Sequence, residues 1–488
     1  MFISAVTFVL YIIVLIAIGV ITYLRAKSYS DYTLAGRSNN KWVTAISAES
    51  SDMSGWLLMG LPGAAFAGGF SSIWIMIGLI FGTMINWMYV ANRLRIATEA
   101  YNVYSITEFF EKRVNDNKGT VALISGIALI IFMIINSSAE IIGCGKLLNA
   151  TFGLEYSTGI IVGLVIVVIY TFLGGYMAVS WSNLFQGSIM FIALLFVPIT
   201  VLIEVGGVSP AVGAVFARSP EFFQFFNGAE GFFPRLSIAL GGLGVGVCYF
   251  GMVHVLTCFM SIKDSSEIKD STFIATTWVS LSTFGAVMIG MIGAYLFPSI
   301  GDPEQIFFAM GGSYFPPYLL GLFAAAVMAA ILSSVSAYVI VAAAAFGANI
   351  MRHYKKDVSD AKLVRMQRTA VVVISLLAFL MSLKSDVVFA VALLATAGLG
   401  ASFGPLVLFC LYSRNVNKIG AIASIVTGLL TVICWYYSGM SSYVYEAIPG
   451  IIASSVALVI GTKLTGGASA STVAEYEQYL SLLHKKRR

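Results

Sequence analysis

Residues 47–63 read SAESSDMSGWLLMGLPG and lie inside an apolar stretch, 42–67, long enough to cross a bilayer. Two carboxylates (Glu49, Asp52), four serines and Gly55 interrupt it, and Pro62 and Gly63 bend its end. A carboxylate in hydrocarbon costs roughly 2.5–3.5 kcal/mol on insertion scales, so this polarity faces a cavity and marks a functional position. At a helix break, backbone carbonyls lose their partners and, with hydroxyl oxygens, can hold a dehydrated cation. The stretch therefore reads as a broken membrane helix carrying an ion and solute site.

The rest of the chain supports a membrane setting. Of 488 residues, 59% are hydrophobic and 10% charged, far below the quarter or so of a soluble domain. The net charge of +5 comes from basic residues in loops and in the terminal KKRR, which read as topology signals; no nucleic-acid partner is expected. The first apolar run, 2–24, lacks a basic leader and a small-residue cleavage site and is expected to stay as a span. Five cysteines (Cys144, Cys248, Cys258, Cys410, Cys434) lie in apolar segments without CxxC spacing and read as reduced, packed thiols.

Counting apolar runs of about 20 residues predicts an all-α membrane protein of thirteen spans. They cover 2–24, 42–67, 72–90, 121–148, 158–177, 185–205, 236–260, 273–296, 318–349, 369–383, 387–412, 419–437 and 448–464. With the N-terminus outside, one side collects Arg25, Lys27, Arg37, Lys41, Arg93, Arg95, Lys112, Arg113, Lys118, Lys263, Lys269, the cluster from Arg352 to Arg368, Arg414, Lys418 and the tail. The other collects Arg218, Arg235 and Lys384. The excess places the N-terminus outside and the C-terminus in the cytoplasm. The 206–234 connection, with its FFQFF run, is then external and forms a short lid helix.

A second interrupted segment, GGLGVGVCYFG at 241–251, lies five spans after the first. Paired interruptions at matching positions point to inverted repeats with a midplane site. The chain then divides into a first helix and loop (1–40), a five-span repeat (41–205), an external loop (206–235), a second repeat (236–413) and two final helices with a basic tail (414–488). Span 9 adds AAILSSVS (329–336), in which Ser333 and Ser334 set hydroxyls beside the Ala330 carbonyl. With the Ser50 and Met53 carbonyls these form a donor set of neutral oxygens, suited to Na+ rather than to a divalent ion.

These residues carry a resemblance. SDMSGWLLMGLPGA (51–64), DYTLAGRS (31–38), GGYMAVSWSNLFQ (174–186), YFGMVHVLTCFM (249–260) and AAILSS (329–334) resemble, in order, motifs of the sodium/solute symporter family, most of all its sodium/proline symporters. The resemblance spans about residues 1–460. It implies a leucine-transporter-type fold with a 5+5 inverted-repeat core, and Na+-driven import of an amino acid across the plasma membrane, such as a bacterial inner membrane. It also implies Na+ ligation by Ser50, Met53, Ala330, Ser333 and Ser334, with Asp52 ordering the break. Ser54, Gly55 and Trp56 match the adjoining substrate pocket, and Arg37 matches a cytoplasmic gate.

Departures from that pattern bear on the substrate. Asn136 stands where proline symporters of this kind have tyrosine, Val245 where they have tryptophan, and Met252 and Val253 replace a Gln-Pro pair; Tyr249 is retained. Asn183 replaces an aspartate that builds a second sodium site in some relatives. Glu140, one turn after Asn136, and Glu49 add acid. A buried carboxylate needs a cationic partner or a proton, which favours an amine-bearing substrate such as lysine or ornithine, with proline the alternative. The structural alternative is that Glu140 pairs with Lys146 or is protonated and structural, and that Glu49 hydrogen-bonds its helix break.

Other readings are weaker. GASFG (400–404) fits a serine-nucleophile pattern, but no histidine follows it before His484, so it reads as a packing face and no enzyme is expected. His254 reads as a hydrogen-bonded packing residue. A sensor or a channel is the different-class alternative; the tail after 464 is short and polar, and no ring of filter residues is evident.

Overall fold

The computed structural model describes residues 2–25, 29–210, 213, 219–346, 360–383 and 387–487. Lys27, Arg218, the basic residues between 347 and 359, and Lys384 lie outside them, as does part of the 206–234 connection. The helices run α1 (Phe2–Arg25), α2 (Tyr29–Leu34), α3 (Lys41–Leu58), α4 (Gly60–Gly68), α5 (Ile73–Ile85), α6 (Asn92–Ala100), α7 (Ile106–Arg113), α8 (Thr120–Phe152) and α9 (Tyr156–Glu204). After the 206–234 connection follow α10 (Phe232–Val247), α11 (Val253–Ser261), α12 (Ile268–Leu296), α13 (Ile306–Tyr314), α14 (Pro317–Ala344), α15 (Asp360–Ser382), α16 (Val388–Tyr412), α17 (Lys418–Tyr437), α18 (Ala447–Leu464) and α19 (Ala470–Arg487).

Eleven helices among the described residues are long and apolar enough to cross a membrane, two fewer than the thirteen expected. The shortfall has a local cause. The 42–67 span is split into α3 and α4, and α3 carries too much polarity to qualify alone; the first part of α9 contributes only the short apolar piece Tyr156–Ile166. Expected spans 5 and 6 follow each other without a loop, through Gly175 at φ +59° and ψ −172°. A Cβ there would also meet the Tyr32 ring at 2.6 Å, so glycine is required twice over.

Helix α14 is the most deeply buried of these spans and packs against α1, α3, α8, α9 and α15. Its small residues, Ala324 to Ala326, Ala329, Ala330 and Ala342 to Ala344, are buried and allow close approach of those neighbours. Helix α3 starts cleanly because the Asn40 side chain accepts from the Trp42 and Val43 N–H groups, a cap worth about 1 kcal/mol.

The second break falls at the end of the expected 241–251 segment and not in its glycine run, 241–246. That run is helical, and Gly242 and Gly246 of α10 press against Gly78 and Gly82 of α5: a Cβ on Gly246 would stand 1.9 Å from the Gly78 carbonyl oxygen. The interruption comes just afterwards, at the tight turn Cys248–Gly251 and Met252 (φ −73°, ψ 88°). Close backbone packing thus accounts for the glycines, and Gly246→Ala is expected to cost about 1–3 kcal/mol by overpacking, read as a lower Tm of the purified protein.

Part of the 206–234 connection forms a short helical turn, Pro220–Phe223, which packs on the Gly69–Ser72 turn just before α5. Trp74 donates from Nε1 to the Phe225 carbonyl at 2.9 Å and stacks on Phe226.

Candidate functional site: the crossing of two broken helices

Between Met53 and Gly55 the backbone leaves the helix. Ser54 has φ +39° and ψ −169°, left-handed for a residue other than glycine, a conformation that costs on the order of 1–3 kcal/mol unless its surroundings enforce it. The surroundings do. The Glu140 carboxylate of α8 accepts the freed Gly55 N–H at 2.9 Å, and a Cβ on Gly55 would meet both Glu140 Oε2 and Ile331 at 2.9 Å. A carboxyl oxygen thus caps the second half-helix, where backbone N–H groups concentrate positive charge.

Asp52, one turn below, joins the two interruptions. Its carboxylate accepts the Tyr249 hydroxyl and pairs with His254 Nε2 at 3.1 Å, while its carbonyl accepts the Trp56 indole N–H at 3.3 Å. Tyr249 lies in the break between α10 and α11 and His254 at the start of α11, so one buried carboxylate ties both interrupted helices together. Asn86 adds a bond from Nδ2 to the Tyr249 carbonyl at 2.9 Å.

On another side of α3, α14 approaches. Ser333 Oγ lies 2.8 Å from the Ser50 carbonyl oxygen and 2.9 Å from that of Ala330; Ser334 Oγ lies 3.5 and 3.1 Å from the same two atoms. Four neutral hard oxygens from α3 and α14 therefore meet, the donor chemistry of an alkali cation. Met53, fully buried, directly precedes the break. The Asp52 side chain is bonded instead to Tyr249 and His254. Among the described residues no group of three His, Cys, Asp or Glu could hold a metal ion. Asn183 ties its side chain to Ser47 at 3.2 Å and its carbonyl to the Ser50 hydroxyl at 3.2 Å.

The remaining candidates are spread out. Asn136 is buried one turn before Glu140. Val245 lines a separate cavity of about 420 Å³ together with Phe389, Tyr445 and Glu446. Phe389, the second residue of α16, stands between that cavity and the break: it lies 6.1 Å from Trp56, and a Cβ on Gly60 would touch it at 3.0 Å. Its backbone N–H and that of Val388 are held by Glu304, which also pairs with Lys146 at 2.5 Å. Arg37 is far from this cluster: it donates to the Thr98 and Val103 carbonyls at 3.0 and 2.8 Å, and burial followed by nearby Arg95 lowers its pKa to about 10.

Phe389, His254 and Trp87 are contributors that sequence reading did not place at the site. His254 follows Tyr249 by five residues, and only the geometry of the break brings both to Asp52. Phe389 sits in an unbroken apolar run and carried no signal.

Two interrupted membrane helices that cross, with freed backbone groups and a buried carboxylate at the crossing, define a secondary transporter. Known proteins agree. The chain belongs to the sodium:solute symporter family, whose family model matches residues 32–428. It is 38% identical to a high-affinity proline transporter of Bacillus subtilis, over 95% of this chain and 99% of that one. It is 36% identical to a sodium/proline symporter of Escherichia coli, over 96% and 94%. A substrate-bound, outward-open Na+-coupled sialic acid symporter superposes with a TM-score of 0.81 at 17% identity, covering 96% of this chain and 99% of that chain. The transporter MhsT in complex with L-phenylalanine follows at 0.54 and 15%, covering 87% and 98%. The fold is of the leucine-transporter type, and sodium is the coupling ion.

The expected cationic substrate finds no support. The relatives are proline carriers, and one oxygen of each extra acid is already hydrogen-bonded within the protein. Glu140 holds the Gly55 N–H, and Glu49 accepts the Trp87 indole N–H at 2.8 Å. Lys146 pairs with Asp302 and Glu304, not with Glu140.

Proposed function

We propose that the chain is a sodium/proline symporter that imports proline on the sodium gradient. The observation that supports this most is full-length similarity to proline transporters combined with a neutral-oxygen cluster at the first helix break. In this reading Ser50, Met53, Ala330, Ser333 and Ser334 hold Na+, the metals being limited to Na+, and Asp52 keeps the break in shape. Ser54, Gly55, Trp56, Asn136, Glu140 and Tyr249 surround the substrate; Val245 lies on the approach to it, and Arg37 closes the basic side, taken as cytoplasmic. Na+ bound between α3 and α14 orders the break, and so raises affinity for the solute beside it; the coupling is reciprocal, with substrate tightening Na+.

The test is uptake of labelled proline into proteoliposomes with and without an inward Na+ gradient. Concentrative, Na+-dependent uptake is expected, with unlabelled proline competing and lysine or ornithine competing poorly. Competition by lysine without competition by proline would overturn the assignment.

Glu140 gives a second prediction. Glu140→Ala leaves the Gly55 N–H without its acceptor, a loss of about 1–3 kcal/mol that should lower proline uptake roughly 5–150-fold. Glu140→Gln keeps an acceptor oxygen and should lose less, in the same assay at matched expression.

A further inference from the structure

Several basic side chains of the protein meet at one end. Arg37 joins the 98–103 turn, Arg95 donates to the Ile262 carbonyl, Lys41 pairs with Asp270, and Lys486 of α19 pairs with Glu99. At this end, between α5 and α12, lies an outward-facing groove of about 620 Å³. Lys269 and Lys486 stand at its polar rim with the Ser265 and Ser266 side chains; Met88 and Phe273, 56% and 75% exposed, line its apolar part.

Each acid near the rim already has a partner, and for Glu99 that partner is Lys486 itself. Asp264 accepts the Ser266 N–H at 2.9 Å, Glu267 accepts the Lys41 N–H at 2.7 Å, Asp270 holds the Lys41 ammonium at 2.6 Å, and Glu99 is shared by Arg95 and Lys486. Lys269 has no ion pair among the described residues, and Lys486 shares the single Glu99 carboxylate with Arg95, so the rim keeps positive charge and hydroxyls above an apolar slot. That is complementary to a phosphate diester carrying an acyl chain, at the depth where exposed aromatic rings such as Trp42 and Phe273 suit the membrane interface.

The inner wall of the groove is Trp87, within a π-helical turn, Asn86–Ala91. The wider turn points Met88 and Tyr89 outward and buries Trp87, whose indole N–H is the one bonded to Glu49, next to Ser50. A π-turn at such a position is a recurrent functional device.

We infer that this groove binds an anionic phospholipid of the basic-side leaflet, its phosphate between Lys269 and Lys486 and an acyl chain along Met88 and Phe273, and that the bound lipid braces Trp87 and so favours Na+ binding. The lipid site itself does not depend on the proline assignment; only the effect on Na+ rests on the reading of the sodium site.

The test uses native mass spectrometry of the full-length protein with phosphatidylglycerol or phosphatidylcholine added in equal amounts, followed by uptake in vesicles with and without phosphatidylglycerol. Wild-type protein should retain phosphatidylglycerol preferentially, and Lys269→Gln combined with Lys486→Gln should lower that retention by about thirtyfold, two basic contacts to an anionic headgroup. Met88→Trp, which fills the slot and leaves both lysines, should also lower it. Phosphatidylglycerol should reduce the Na+ concentration for half-maximal uptake severalfold in wild type and in neither variant. Equal retention of the two lipids by wild type, or unchanged retention in the lysine variant, overturns the phosphate assignment; unchanged retention in Met88→Trp overturns the acyl-chain assignment. Displacement by inorganic phosphate would mark a free-anion site and overturn the lipid. Selective retention without any effect on Na+ would overturn the bracing role alone.

Discussion

Asp52→Ala should abolish sodium-dependent uptake at ordinary Na+ concentrations while the protein still reaches the membrane. The carboxylate is 6% exposed and has two partners across the second break, the Tyr249 hydroxyl and His254 Nε2. Removing it strands both groups in a water-poor site and uncouples the two interrupted helices. Breaking a buried pair of this kind costs about 3–5 kcal/mol, or roughly 150–5,000-fold in an equilibrium constant. Because the Asp52 side chain bonds Tyr249 and His254 and not the oxygen cluster, the loss should appear mainly as a raised Na+ requirement, so a very high Na+ concentration should restore part of the uptake. Tyr249→Phe removes one bond and leaves the carboxylate paired to His254, so its effect should be far smaller. Measuring Na+ dependence of uptake for the three proteins at matched membrane levels decides this. An Asp52→Ala protein with unchanged Na+ dependence would remove Asp52 from the sodium mechanism.

The second large effect is expected from Ser333→Ala combined with Ser334→Ala. Both hydroxyls are fully buried beside the Ser50 and Ala330 carbonyl oxygens, and alanine keeps the small volume that the α3–α14 contact needs. Each lost oxygen contact to a cation should cost about 1.5–3 kcal/mol, so the double change should raise the Na+ concentration for half-maximal uptake by more than about 100-fold. The single changes should each give an intermediate shift. Proline affinity should fall only through this coupling, and the two effects should approach each other as Na+ saturates. A thermal-shift titration with NaCl in place of uptake gives the same comparison without transport: wild type should be stabilised by Na+ and the double variant should not. Equal stabilisation would exclude these hydroxyls from the site.

Much of this architecture was legible in the chain because hydrocarbon is an unforgiving solvent. Apolar runs set the spans, and the Lys and Arg bias suggested which loops share a side. A polar patch as dense as 47–55 could only belong to a break or a cavity. The neutral oxygens of Ser50, Ala330, Ser333 and Ser334 were readable too, because their chemistry and spacing within each helix are local properties.

Other features were not local. The glycines at 241–246 looked like an interruption, yet they serve the contact with Gly78 and Gly82, and the chain breaks only after Val247. A glycine's missing side chain is equally useful for close packing and for a kink, and only the neighbour across the interface tells which applies. Glu140 and Glu49 likewise looked like charge offered to a substrate. Composition could count those acids, but it could not show that one ends on the Gly55 N–H and the other on the Trp87 indole.

The sequence by itself determined that the chain is a helical membrane protein with a helix interrupted within 47–55 and neutral oxygens on each of two helices, since each follows from the cost of polarity in lipid and from spacing along one helix. The tertiary structure alone decided which groups meet at the crossing. It brought His254 and Tyr249 to Asp52, Glu140 to the half-helix terminus, and Phe389 over Trp56. Those pairings join residues up to about 333 positions apart, and distance along a chain carries no record of which buried polar group will satisfy which.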